Sequence, residues 1–193
     1  MDAGTAIGSV FAAFGLSGAA GLNAWLPLFA GALLERLDIV ELAQPFDSLS
    51  SNVGLAVLAA LLVADFVGDK VPVVDHALHV AGTVVHPTAG AVLFTGQTGL
   101  ETDIPTIVAV VLGALTAGSI HGGRATVRPA ATTTTAGLGN PVLSLGEDAA
   151  SGLLTLAAFA LPVLALLLVL ALVVGLVVGF RLLRPRNRRA GRG

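Results

Sequence analysis

The chain has 193 residues, 55% of them hydrophobic and 11% charged, where a soluble domain carries about one quarter charged residues. So few polar side chains cannot cover a globule, and with a mean hydropathy of +0.91 the composition excludes a soluble domain and points to an all-α membrane protein. The absence of cysteine excludes thiolate metal sites, disulfides and thiol chemistry, while a formal net charge of -2 decides nothing.

Charge-free stretches cover residues 3–34, 48–64, 104–123 and 149–180, and the stretch between Asp75 and Glu101 joins them if His76, His79 and His86 are neutral. A bilayer core of ~30 Å takes about 20 apolar helical residues, so each stretch can cross it. The expectation is a helical transmembrane domain over residues 1–180, with about five spans, some broken by Gly and Pro, and a basic tail over 181–193.

In chain order, the first segment has no basic residue before Arg36, so it lacks the positive region of a signal peptide and is expected to be retained. It carries Gly15, Gly18, Gly21 and Asn23 ahead of Pro27. Small residues allow helices to pack closely. The sharper reading is a helix unwound near Gly21 and Asn23, as in transporters whose discontinuous helices expose backbone groups to a substrate. Residues 35–47 form a polar connection, and a second span runs to about Gly68.

The first polar constellation follows, with Asp65, Asp69, Lys70, Pro72, Asp75, His76 and His79. Asp65 and Asp69 share a helical face, as do Asp75 and His79 if a helix restarts after Pro72. An ionised group at a span centre costs about 2.5 to 3.5 kcal/mol on insertion scales, so these groups stand at an interface, pair, or line an aqueous cavity. An ion-paired bend and a proton or substrate site are the main readings; a divalent cation is the third, although the spacing matches no metal motif. The next segment is expected to be interrupted by Gly82, His86-Pro87 and Gly90, and either crosses or dips in and returns.

A fourth span ends near His121 and Arg124, which with Arg128 align on one helix face. The guanidinium fork suits phosphate or carboxylate, so this stripe meets lipid phosphates, forms an internal anion site, or pairs with Glu147 or Asp148. Residues 129–140 read as a loop by composition. Ser144-Leu-Gly-Glu147 matches a capping box that would start the last helix, with Glu147 and Asp148 complementing its dipole. Residues 149–180 would then measure about 48 Å, which demands tilt or a bend at Pro162. A weak internal repeat relates Ala20 to Ala32 with Ala81 to Ala91.

Six of the ten Lys and Arg lie in the last thirteen residues, which places the tail on the cytoplasmic side of a cell membrane and the N-terminus outside. No aromatic recognition surface accompanies the tail, so nucleic acid is not an expected partner. Membrane lipids are, and the small-residue faces suit association with a second copy.

Gly21-Leu-Asn23-Ala, Asp69-Lys70-Val-Pro72-Val-Val-Asp75, His86-Pro87-Thr-Ala-Gly90-Ala and Ser144-Leu-Gly-Glu147-Asp148, in this order, resemble the domain-of-unknown-function family numbered 4126. Its members are small multi-spanning membrane proteins, and the resemblance runs from about Gly15 to Leu170. It implies a shared architecture for the polar bends and supplies no activity.

The expected function is transport or binding of a small charged solute or lipid headgroup by Asn23, Asp65, Asp69, Lys70, Asp75, His79, His86, His121, Arg124 and Arg128. A non-transporting scaffold or accessory subunit is the alternative, and a metal-dependent intramembrane hydrolase using Asp and His is the third. No catalytic pattern and no cofactor motif is discernible. The two polar bends are expected to form one site, with Asp69 or Asp75 close to Arg124.

Overall fold

The computed structural model describes the backbone of residues 3–68, 72–135 and 139–183, and their side chains except at 72–77, 127–135, 140 and 183. These residues form helices and no strands: α1 (Ala3–Leu22), α2 (Trp25–Arg36), the single turn α3 (Phe46–Leu49), α4 (Asn52–Gly68), α5 (Pro72–Thr98), α6 (Thr106–Thr135), α7 (Asn140–Ala160) and α8 (Pro162–Leu183). Five of them, α1 and α5 to α8, are long and apolar enough to cross a bilayer, and α4 is a shorter apolar helix of 17 residues.

Proline sets two of the breaks. A helical proline clashes with the carbonyl four residues earlier and offers it no amide. For Pro27 that carbonyl belongs to Asn23, where α1 stops, and for Pro162 it belongs to Ala158, at the end of α7. The last apolar run, expected as one bent helix, is therefore two helices that fold back at Leu161. Pro87 acts differently, because α5 runs through it unbroken and the expected interruption at His86-Pro87 is absent. Residues 129–135, expected as loop, continue the backbone of α6. Ser144 does not start a helix: α7 begins at Asn140 with Pro141 in its first turn, and Ser144 is buried inside it. Proline is pre-organised for that first turn and sets the start in place of the serine cap.

Contacts fix how the helices run. Ser17 Oγ donates to Gly90 O at 2.9 Å and His86 reaches Ala20 O, so α5 is antiparallel to α1. Gly90 lies against Gly113 and His86 against His121, so α6 is antiparallel to α5. Ala158 meets Gly15 and Ser151 Oγ donates to Ala19 O, so α7 is antiparallel to α1. Ala165 and Val169 meet Gly15 and Gly18 in turn, so α8 is parallel to it. The second arm, α2, turns back: Leu26 approaches Gly152 beside the break, whereas Gly31 meets Phe46, which also meets Gly96 near the end of α5. By length α1 could cross, but with α2 it forms a hairpin that enters from the N-terminal face, turns at Asn23 and returns. Residues 3–34, expected as one long broken span, are thus the arms of this hairpin, and α4 to α8 run between the N-terminal face and the opposite one.

The hairpin tip is deep. Since Val169 faces Gly18, Asn23 lies about five residues further along the parallel α8, near the middle of the charge-free run from Pro162 to Phe180. Glycines make this depth possible: an added Cβ would stand 2.7 Å from Ala165 Cβ at Gly15, 2.5 Å from Val169 Cγ2 at Gly18 and 2.7 Å from Ala117 O at Gly21. Close packing and an unwound helix, weighed as alternatives for this stretch, are therefore both present. The repeat between residues 20–32 and 81–91 has no counterpart in local structure, because the first is a hairpin turn and the second a continuous helix.

Candidate functional site

A helix end leaves its last four carbonyls without intrahelical partners. At the depth of Asn23 the bilayer supplies no water to take them, so the protein must. Three helices do so. Ala19 O accepts from Ser151 Oγ of α7 and from Asn23 N, both at 3.0 Å. Ala20 O accepts from His86 Nδ1 of α5. Gly21 O accepts from Arg124 Nη1 of α6 at 3.0 Å, and Leu22 O accepts from the same nitrogen. On the other side of the break, Asn23 Oδ1 accepts from Trp25 N and Leu26 N at 3.0 Å each, and the next residue, Pro27, has no amide to satisfy.

The other half of the Asn23 amide reaches outward. Its Nδ2 donates to Asp148 Oδ1 at 2.8 Å and to Asp65 Oδ2 at 3.1 Å, so a single side chain 2% exposed ties α1, α2, α4 and α7 together. Arg124, 8% exposed, pairs through Nη2 with Glu147. A cation suits the C-terminal end of α1, whose carbonyls carry the negative end of the dipole. The carboxylate partner and the two carbonyls compensate the desolvation of the guanidinium, which an unpaired buried charge could not meet. Arg124 Nε has no hydrogen-bond partner among the described residues.

Three imidazoles stand beside this arginine. His86 and His121 stack with ring centroids 4.2 Å apart and 25° between planes, and His79 lies against His121 at 5.1 Å and 36°. Gly82 makes the space for them, since a Cβ there would stand 2.7 Å from His121 Cε1 and 3.0 Å from His86 Cδ2. Because Ala20 O can only accept, His86 Nδ1 carries the hydrogen, and in the neutral ring Nε2 is left as an acceptor.

Six of the residues expected from sequence are brought together at this point: Asn23, Asp65, His79, His86, His121 and Arg124. Asp69 and Lys70 lie outside the described residues, as do the side chains of Asp75 and Arg128, and with them the expected pair of Asp69 or Asp75 with Arg124. The partner Arg124 has is Glu147, the alternative weighed for it. Glu147 and Asp148 were assigned to a helix start and instead belong to the site, seven and eight residues past the first residue of α7. The signal was present in the length of the run 149–180, which is too long for one span. Two helices turning at Pro162 need about 40 residues, and this draws the start of α7 upstream of both acids. Gly82 and Ser151 carried no signal of their own.

Among the described residues no group of three His, Asp and Glu side chains is arranged to hold a metal ion. The arrangement can offer a solute a guanidinium donor at Nε, carboxylates joined through one amide, and three imidazole rings. It lies where an interrupted helix exposes its own backbone dipoles. A comparison with curated proteins finds no match, and neither does one with solved structures. The family described as a domain of unknown function, DUF4126, matches residues 10–182, and the chain belongs to it.

Proposed function

We propose that this protein is a membrane transporter or binding protein for a small charged solute, held at the break between α1 and α2 by Arg124, Asp65 and Asp148. One observation carries the reading: a hairpin ends midway through an apolar bundle, and charged side chains from α4, α6 and α7 converge on its tip. An uninterrupted helix would satisfy its own backbone there. Keeping the break costs a glycine-lined path for α1, one buried charge and three half-buried ones, an expense typical of solute and ion sites within membranes. The buried Nε of Arg124 offers a donor that a carboxylate, phosphate or other acceptor of the solute would fill. Against the scaffold reading, Gly15, Gly18 and Gly21 face α6, α7 and α8 of this same chain and are not available to a partner.

The test is charge movement in reconstituted vesicles on a solid-supported membrane. Sodium, potassium, guanidinium, acetate and phosphate would be applied in turn at equal pH on both sides. At least one should evoke a saturable current that falls at least ten-fold in Arg124→Gln and in Asp65→Asn. The second variant keeps an oxygen for Asn23 Nδ2 to bond and removes only charge, so it separates solute binding from folding. Absence of current from every ion, or equal currents in Asp65→Asn, would leave the scaffold reading ahead.

A further inference from the structure

The carboxylates and arginine account for a charged solute, but they leave three stacked histidines unexplained. His79 is the eighth residue of α5 and half-buried, and His86 lies seven residues, about 10 Å, further along the helix. His121 bridges them, with centroids at 5.1 Å and 4.2 Å. The rings thus form a column from the half-buried His79, about two turns inside the start of α5, to Ala20 O, the carbonyl that His86 holds at the break. The column is built at a cost to its helix, because Gly82 in place of alanine destabilises α5 by about 1 kcal/mol and is required by the ring positions.

We infer that the His79–His121–His86 column brings protons from the opposite face to the helix break, and that His86 Nε2 holds them there. This deepens the transport reading by naming the proton as a ligand of the same site. The chemistry needs no oxidant or co-reactant: a proton taken from water at His79 passes between ring nitrogens, directly or through water, and ends on Nε2 as imidazolium. His86 Nδ1 keeps its bond to Ala20 O throughout, and that bond becomes charge-assisted. Among the described residues, the charged and titratable side chains at this end of the break are Asp65 on α4, Arg124 on α6, and Glu147 and Asp148 on α7, besides the histidines themselves on α5 and α6. The residues that α8 packs at this level, Val173 and Leu176, are apolar. A proton on His86 sets a second cation near Arg124, so protonation shifts the balance between Arg124 and Glu147 at the place where the solute is held.

Trp25, the only tryptophan of the chain, which has no tyrosine, stands at the break beside the α5 residues that flank His86. Its emission can therefore report protonation without any knowledge of the solute. The full chain in lipid nanodiscs would be taken from pH 8 to pH 5 in a stopped-flow instrument. The wild type should show a quenching phase whose amplitude is lost in His86→Gln and whose rate falls at least ten-fold in His79→Gln and His121→Phe. His79 is half-buried, so its variant keeps the test valid if the buried His121 variant fails to fold. No phase in the wild type, a full-amplitude phase in His86→Gln, or a wild-type rate in folded His79→Gln would overturn the inference. The reading of a solute site stands or falls separately, on the ion-evoked currents at equal pH.

Discussion

Asn23 shows how one side chain can hold a broken helix inside a membrane. Its carbonyl oxygen does the work of a cap for α2, and its amide nitrogen binds two carboxylates. Only a carboxamide supplies both functions from one planar group, and asparagine, unlike glutamine, is short enough to cap the helix that follows it. Asn23→Ala removes a cap worth about 0.5 to 2 kcal/mol and takes one donor from each of two half-buried carboxylates, Asp65 and Asp148. Asn23→Asp retains the cap but sets a third carboxylate against Asp65 and Asp148, and should be the more damaging of the two at neutral pH. Thermal unfolding of the purified variants in detergent checks the order. A serine or alanine as stable as the wild type would mean that the break is held by α2 packing instead.

At the scale of elements, the distinction between glycines that are packed and glycines that are not gives a sharp contrast. Gly15→Leu would drive a side chain into Ala158 and Ala165, where a Cβ alone comes within 2.9 Å of both, and overpacking of this kind costs about 1 to 3 kcal/mol or more. Gly122→Ala meets nothing within 4 Å and should stabilise α6 by up to about 1 kcal/mol. Unfolding temperatures moving in opposite directions would confirm that α1 is the buried centre of the bundle and that this part of α6 faces outward. The same glycines illustrate what could be read without coordinates. Pro27 and the glycines before it marked a break near Asn23, and the charged bends pointed to six residues that do meet. The direction of α2 could not be read, because an apolar run that turns back has the same composition as one that continues. Nor could the roles of Glu147 and Asp148, since a local capping pattern fits them as well as contacts 23 and 125 positions away. Asn23 to Asp148 is a pairing of helices, and hydropathy carries no information about it.

For the whole molecule, the returning hairpin redistributes the charge. With residues 3–34 entering and leaving at one face, Arg36 is the only Lys or Arg among the described residues toward the N-terminal face. Lys70 falls between α4 and α5, Arg124 and Arg128 in the last part of α6, and the other six in and after the last turn of α8. So one-sided a bias predicts a cytoplasmic tail and an external N-terminal face. Single cysteines introduced at Ser48 and Thr102 should react with an impermeant maleimide in intact cells, and one at Gly193 only after lysis; the reverse pattern would invert the molecule. The hairpin also bears on how the chain is made. Its backbone is completed by Arg124 and Ser151, its Asn23 side chain by Asp148, and its glycines by Ala165 and Val169, all of which are synthesised more than eighty residues later. Until α8 emerges, the first thirty-six residues have a polar tip with no partners and an apolar surface with no cover. They must wait at the membrane surface or in the care of the insertion machinery. The part of the protein that leaves the ribosome first is among the last to be seated, and its docking is the step at which the site comes into being.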